Sequence, residues 1–286
     1  MTRVPDWLTF RRYAAFVTSA TLALVMLGIY TAASGAGLAC AQQWPLCDGG
    51  VLPQSIPSFI EWFHRLWAMI TGFLILGVAA WAWRGTFPRR TRWAATVAVV
   101  LTPLQAVLGA VTVTFNGRLP GGYSMPVHAA HFVTGFVIFV GLAYATLTAY
   151  EGSHRGGIDR ARTALSVSLG GMLAGVVFSR LPPLLAYDPW AQAAFYGVSL
   201  AAFGALLAAT RWLGAFGRGR LRVATALAGG LLFLAMLLGR DIVYYTATVG
   251  LVNAAAVAGA LGLVAAVRWR VRDRAERGGS TAGTSN

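Results

Sequence analysis

The chain has 286 residues, of which 57% are hydrophobic and only 11% are charged, and its formal net charge is +14. Soluble domains carry roughly 25% charged residues, so this composition excludes an ordinary soluble protein. The positive charge does not indicate a nucleic-acid partner, because its arginines lie in short segments beside long apolar runs, where membrane topology and anionic lipid headgroups account for them.

Eight apolar runs of about 17–25 residues follow one another, each long enough to cross a hydrocarbon core of roughly 30 Å. The bilayer core holds no water to satisfy the backbone, so each run is predicted to be a helix. The sequence therefore predicts an all-α, polytopic membrane protein. The predicted spans are 13–33, 59–83, 93–115, 127–149, 163–180, 191–212, 223–239 and 243–267.

The start of the first span has the outline of a cleaved signal peptide, with Arg11 and Arg12 before an apolar run. The run is longer than the apolar region of a signal peptide, so we expect this segment to be retained as a membrane span. Arginine supplies all 23 positive side chains, and 19 of them lie on one side of the predicted topology. By the positive-inside rule, both termini are predicted to be cytoplasmic.

The chain divides into two halves of four spans each. We predict an N-terminal four-helix bundle at 1–150, a C-terminal four-helix bundle at 151–270 and a disordered cytoplasmic tail at 271–286. Both halves run in the same direction through the membrane, so they would form parallel repeats. The chemistry-bearing residues concentrate in the first half, and the second half is expected to be a scaffold.

Cys40 and Cys47 lie in the predicted outer loop between the first two spans. Disulfides form and persist outside the cytoplasmic membrane, which favours a disulfide between them. Two free thiols and a metal site are the alternatives, although no cluster of further ligands accompanies the pair.

Glu61 and His64 open the second span and share a helix face, because three residues separate them. The carboxylate suits proton transfer, or stabilisation of developing positive charge, beside a reacting group. The competing interpretation is an interfacial carboxylate paired with Arg65 or with water. Arg65 itself either pairs with a carboxylate of a bound ligand or snorkels to the interface.

Histidines also open the fourth predicted span, which enters the membrane from the same side as the second. At 1.5 Å per residue, His64 lies about 7–8 Å inside its span and His131 about 6 Å inside the fourth. His128 lies one turn nearer the surface and is the alternative to His131. Two imidazoles at matching depth can clamp a planar macrocycle through axial Fe–N bonds. The competing interpretation is a set of interfacial histidines satisfied by water. His154, in an arginine-rich loop, is expected to be solvated.

Five segments of the first half follow one another in a specific order and spacing. They are Gly28-Ile-Tyr-Thr31 with Ser34-Gly35-Ala-Gly37-Leu-Ala-Cys40, Trp44-Pro45-Leu46-Cys47-Asp-Gly49, Ile60-Glu61-Trp-Phe-His64-Arg65, Gln105-Ala-Val-Leu-Gly109-Ala-Val-Thr-Val113 and His131-Phe-Val-Thr. Together they resemble the heme A synthases, membrane enzymes of cytochrome oxidase assembly in the prokaryotic cell membrane.

The resemblance implies an activity and a role for each residue. The family oxidises a methyl group of heme O stepwise to the formyl group of heme A, with eight spans in two four-helix halves. His64 and His131 would be the axial ligands of heme O or heme A, with heme B as a further occupant. Glu61 would be the essential carboxylate, Arg65 a contact to a heme carboxylate, and Cys40–Cys47 the outer-loop disulfide.

The second half departs from the family pattern, which places a further histidine pair and a heme b there. No histidine follows His154, and the corresponding spans open with Gln192, Tyr196, Tyr244 and Tyr245. Interfacial tyrosines are ordinary membrane anchors, so we expect no bis-histidine heme b in this half.

The resemblance also implies partners. Heme O synthase, cytochrome oxidase assembly proteins, an electron donor that the sequence does not identify and the lipid bilayer are expected, and a homo-oligomer is compatible with the sequence. Two other functions stay open: a non-catalytic bis-histidine protein of heme assembly or electron transfer, and a transporter without heme. A transporter does not explain the histidines at matching depth in the second and fourth spans.

Overall fold

Eight helices form the part of the chain that the computed structural model describes. This part comprises residues 7–40, 43–115, 125–150, 157–182, 185, 188–239 and 242–280, with the backbone alone at 157 and 272–280. All eight helices are long and apolar enough to cross a membrane, which confirms the predicted fold class. They are α1 (Phe10–Ala33), α2 (Ile56–Arg84), α3 (Arg89–Thr114), α4 (Met125–Ala149), α5 (Gly157–Phe178), α6 (Pro189–Ala215), α7 (Gly219–Leu238) and α8 (Ala247–Ser280).

Most helix ends lie within a few residues of the predicted spans, and the two largest differences are extensions. Helix α5 begins at Gly157 and α8 continues to Ser280. An apolar window marks only the part of a helix inside the bilayer, whereas arginine and glutamate are good helix formers that continue it outside. Residues 271–280 of the predicted disordered tail are therefore helical. Residues 281–286 lie outside the described part of the chain, and their disorder stays a prediction.

The chain forms two compact units. The first comprises Met1–Ser153, Tyr187–Gly197 and Asp241–Val243, and the second comprises the remaining segments. The first unit therefore includes the beginning of α6. The functional division at 150 and 270, the parallel repeats and the cytoplasmic termini stay predictions.

In the first unit, α1 packs against α2 and α4, and α3 packs against the same two helices. Helices α2 and α4 are therefore diagonal partners in this four-helix arrangement. Polar side chains join neighbouring helices, as is common where lipid removes the hydrophobic driving force for association. The Trp67 indole donates to the carbonyl of Ala20 at 3.3 Å, and the Thr91 hydroxyl donates to that of Thr148 at 2.9 Å.

The apolar core of the first unit lies at one end of the four helices, where α1 and α3 begin and α2 and α4 end. Its members are small or aliphatic apart from one aromatic residue, which allows close helix approach. They are Phe10, Ala14, Val17, Ile75, Val78, Ala79, Ala82, Ala95, Ala98, Ile138 and Leu142. This core leaves the opposite end, where α2 and α4 begin, to the polar residues singled out by the sequence.

The second unit packs α8 against α5 and α7. Small residues bring α5 close to α6, since the Ser168 hydroxyl donates to the carbonyl of Ala202 at 2.9 Å. A Cβ at Gly171 would lie 3.1 Å from the Ala202 Cβ, a spacing at which only glycine fits without adjustment.

Candidate functional site

Local sequence fixes the beginning of α2 and thereby the positions of its polar side chains. Ser55 caps the helix, with its hydroxyl accepting from the backbone N–H of Ser58 at 3.2 Å. Pro57 occupies the first turn, where a missing N–H costs nothing. Counted from Ile56, Glu61 lies about 7.5 Å and His64 about 12 Å along the helix at 1.5 Å per residue. Both residues therefore lie within the first third of the span.

The disulfide predicted between Cys40 and Cys47 is present, with both residues buried. Its sulfur atoms lie 3.9 and 3.8 Å from the carbonyl oxygen of Ser58. The Ser58 hydroxyl donates to the carbonyl of Ala39 at 3.3 Å. The disulfide loop is thereby fastened to the first turn of α2, directly beside the buried polar residues of that helix.

Glu61 is 5% exposed and forms an ion pair with Arg65 one turn later. The Arg65 Nε donates to Glu61 Oε1 at 2.8 Å, and its Nη1 donates to the carbonyl of Leu46 in the disulfide loop at 3.0 Å. Within the part of the chain that the structure describes, the buried Nη2 of Arg65 has no hydrogen-bond partner. The arginine therefore holds the carboxylate in place and keeps one donor group for a further acceptor.

The His64 imidazole lies against Gly28 of α1. A Cβ at residue 28 would be 2.9 Å from Cε1 of His64, so no larger residue fits there unless the ring moves. The Nδ1 atom of His64 is buried and has no hydrogen-bond partner among the described residues. A buried polar atom without a hydrogen bond is costly, so this nitrogen is suited to bind a group that is not part of the protein.

The His131 imidazole on α4 lies against α3. A Cβ at Gly109 would be 3.3 Å from Cε1 of His131, and the Gln105 side-chain nitrogen lies 3.3 Å from His131 Nε2. The Nδ1 of His131 is also buried, and none of the described residues forms a hydrogen bond with it. Each of the two histidines therefore presents one free ring nitrogen from opposite corners of the four-helix arrangement.

The three histidines of the first unit lie toward the same end of the four helices, since α2 and α4 both begin there. Counted from Met125, His131 lies about 9 Å and His128 about 4.5 Å along α4 at 1.5 Å per residue. His131 is thus nearer in depth to His64. Neutral imidazoles on facing helices of a bundle are donors for heme iron, so the residues present fit such a group.

Comparison with known proteins relates the whole membrane region to one family. The sequence pattern of the COX15-CtaA family, described as cytochrome oxidase assembly protein, matches residues 11–268. The chain belongs to this family. This membership agrees with the resemblance in its loop and helix motifs, and identifies a multi-pass membrane protein.

The chain matches individual members of the family over part of their length. The chain is 35% identical over 136 residues to the heme A synthase of Bacillus licheniformis, which covers 47% of this chain and 43% of that protein. It is 31% identical over 164 residues to the heme A synthase of Geobacillus kaustophilus, covering 56% and 48%. It is 36% identical over 151 residues to a protoheme IX farnesyltransferase of Halobacterium salinarum, covering 50% and 31%. The matches extend over less than half of each relative.

The polar residues near the start of α6 and in the segment before α8 have different surroundings. Tyr196 is fully buried and packs edge-on against Phe132 with ring centroids 4.8 Å apart. Tyr244 is 72% exposed, and the Tyr245 ring lies 5.1 Å from the Arg180 guanidinium carbon. Gln192 is buried. These surroundings are those of packing and interfacial side chains. His154 lies outside the described residues.

Three residues that touch the histidines have no role in the sequence analysis. Gly28, Gln105 and Gly109 occur in its quoted motifs, but the sequence does not indicate what they contact. Two features of the sequence could have indicated these residues. Glycines within a membrane span allow close approach of another helix. An amide at membrane depth is costly and therefore indicates a specific role.

Proposed function

We propose that this chain is a heme A synthase, a membrane oxidoreductase that converts the methyl group of heme O into the formyl group of heme A for cytochrome oxidase biogenesis. The observation that carries the proposal is the grouping of a buried carboxylate with two imidazoles, each with a buried nitrogen that lacks a partner. Family membership and the named heme A synthases among the relatives support it.

The reaction determines what the site has to supply. Conversion of R–CH₃ and H₂O into R–CHO releases four electrons and four protons, and the steps through an alcohol and a hydrated aldehyde each remove two of the electrons. With water as the oxygen source, an external acceptor receives these electrons. With dioxygen as the oxidant, each oxidation step instead takes two electrons and two protons by way of the electron donor and releases one water. The residues of the site bind and orient the substrate, and one of them accepts protons.

In this proposal His64 and His131 would bind the iron of heme O. His128 is the alternative to His131. Glu61 lies three residues before His64 on α2 and is the proton acceptor or the stabiliser of positive charge at the reacting carbon. Arg65 orients Glu61 by the 2.8 Å contact. Its free Nη2 suits a heme carboxylate, because a guanidinium donates to carboxylates with well-defined geometry.

The partners follow from the same chemistry. Heme O synthase would supply the substrate. A protein named protoheme IX farnesyltransferase matches this chain over 31% of its own length, which supports a link between heme farnesylation and the function of this chain. Cytochrome oxidase assembly proteins would take the product, and an electron donor of unassigned identity is expected. We propose no bis-histidine heme b in the second half, because no histidine follows His154.

The experiment that tests the proposal is heme extraction and chromatography from membranes of a host that makes heme O, with and without this chain. Heme A that appears only with the chain would establish the synthase. Heme O or heme B that co-purifies with the protein, without heme A even when native electron partners are present, would instead favour a heme-binding assembly or electron-transfer protein. The lack of histidines in the second half is the observation that keeps this second function in view.

Gly28→Ala tests the close contact between α1 and His64. The new Cβ would lie 2.9 Å from the imidazole, so the ring must shift. We expect heme affinity to fall roughly 10–100-fold, the range found when a metal ligand loses its orientation. A heme titration of the purified protein measures this. Gly230→Ala is the matched control, since a Cβ there meets no atom within 4 Å. Equal affinities in the two variants would show that the His64 ring position does not matter.

A further inference from the structure

Helices α3 and α4 interlock through two long polar side chains and two glycines. His131 of α4 lies over Gly109 of α3, where a Cβ would be 3.3 Å from the ring. Gln105 of α3 lies over Gly135 of α4, where a Cβ would be 3.2 Å from the amide nitrogen. In each helix the two residues are four apart and share one face. The result is a reciprocal contact in which each glycine makes room for the other helix's polar side chain.

The two polar side chains of this interlock meet. The Gln105 Nε2 lies 3.3 Å from the Nε2 of His131. Two further polar atoms there, Gln105 Oε1 and His131 Nδ1, are buried without a hydrogen-bond partner. With the amide nitrogen as the donor, His131 Nε2 accepts and the ring proton lies on Nδ1. If Nε2 donated to the amide oxygen instead, Oε1 would gain a partner and Nδ1 would present a lone pair to a ligand.

That change follows from the chemistry of imidazole as a metal ligand. The nitrogen that binds iron carries no proton, so the other nitrogen of the neutral ring carries N–H and needs an acceptor. Metal-binding histidines almost always donate this N–H to an oxygen, which fixes the tautomer and the ring orientation. Rotation of the Gln105 amide by half a turn exchanges its nitrogen and oxygen and places Oε1 where it accepts from the ring.

We propose that Gln105 is the positioning residue for His131: it accepts the hydrogen bond from one ring nitrogen and leaves the other nitrogen for heme iron. The inference rests on the proposed heme-binding function and adds a residue to it. A role in packing alone does not explain an amide at this depth, because an apolar side chain of the same length fills the space over Gly135 without the cost of burying a polar group.

Gln105→Met and Gln105→Glu separate hydrogen bonding from packing. Methionine keeps the length but accepts no strong hydrogen bond, and we expect heme affinity to fall roughly 10–100-fold with a higher midpoint potential of the residual heme. Glutamate is an acceptor in either orientation, so it should restore affinity and lower the potential below that of the unchanged protein, because it makes the ring more basic. Heme titration, redox titration and electron paramagnetic resonance of the low-spin signal are the measurements.

Gly135→Ala is an independent variant that leaves both hydrogen-bonding groups in place. Its Cβ would press on the Gln105 amide at 3.2 Å, so the potential should shift in the same direction as in Gln105→Met, by a smaller amount. Gly262→Ala is the matched control, because a Cβ there meets nothing within 4 Å. This comparison keeps the test valid if Gln105→Met does not fold.

The outcomes distinguish this inference from the proposed function. If His131→Ala loses low-spin heme while Gln105→Met and Gln105→Glu match the unchanged protein in affinity and potential, the role of Gln105 is overturned and heme ligation stands. If His131→Ala keeps the low-spin signal, the proposed ligand itself is wrong. Opposite shifts of potential in Gln105→Met and Gln105→Glu would support both.

Discussion

His64→Ala and His131→Ala should each abolish the low-spin heme spectrum of the purified protein. Each change removes one of two imidazoles whose Nδ1 is buried without a partner among the described residues, so iron would lose a ligand. The loss of affinity should exceed the roughly 10–100-fold that follows from removal of a supporting residue around a metal ligand. Absorption spectra of oxidised and reduced protein measure the effect.

Two controls make the histidine result specific. His154→Ala removes a histidine from the arginine-rich loop and should leave the spectrum unchanged. His128→Ala should retain the low-spin signal if His131 is the ligand, because His131 is nearer in depth to His64. An intact spectrum in His131→Ala together with its loss in His128→Ala would exchange the two assignments. If His64→Ala retained the low-spin spectrum, His64 would not be a ligand of the heme iron.

Glu61→Gln is expected to keep heme and to stop heme A formation. Glutamine has the same shape and its amide oxygen can still accept from Arg65, so the contact at 2.8 Å survives while the proton acceptor is lost. General acid–base groups contribute about 10²–10⁴-fold to a rate, and turnover should fall by that amount. Chromatography of extracted hemes, together with the absorption spectrum of the same sample, measures both quantities.

Asp48→Asn is the matched control for this charge change. Asp48 lies in the turn after Cys47, where its carboxylate accepts from the backbone N–H of Gln54 at 2.9 Å. It should leave turnover unchanged. Loss of heme from Glu61→Gln, with the helical content and thermal stability unchanged, would show that the carboxylate supports binding and not the chemical step.

Several features of the site could be predicted from residue type and spacing alone. Glu61 and His64 share a face because a helix returns after 3.6 residues, and any helix in that segment brings them together. The Cys40–Cys47 disulfide agrees with two cysteines in one short loop that is predicted to lie outside the cytoplasm. The eight spans follow from the thickness of the bilayer, which sets a length that apolar runs must reach.

Other features depend on how helices distant in the sequence pack. The sequence left Arg65 with two interpretations, and the fold gives it both Glu61 and the disulfide loop as partners, through contacts to residues 19 and 20 positions earlier. Gly28 and Gln105 contact histidines only because α1 packs against α2 and α3 packs against α4. No periodicity within one helix reveals which residue of another helix it will meet.

The sequence by itself determined the membrane class, the number of spans and the residue types of the site, because hydrophobic length and helical period act locally along the chain. Only the tertiary structure decided that α2 and α4 lie diagonally, that His64 rests on Gly28 and His131 on Gly109, and that Gln105 meets His131. These contacts depend on close packing of small residues between helices, which is a property of the assembled bundle and not of any one segment.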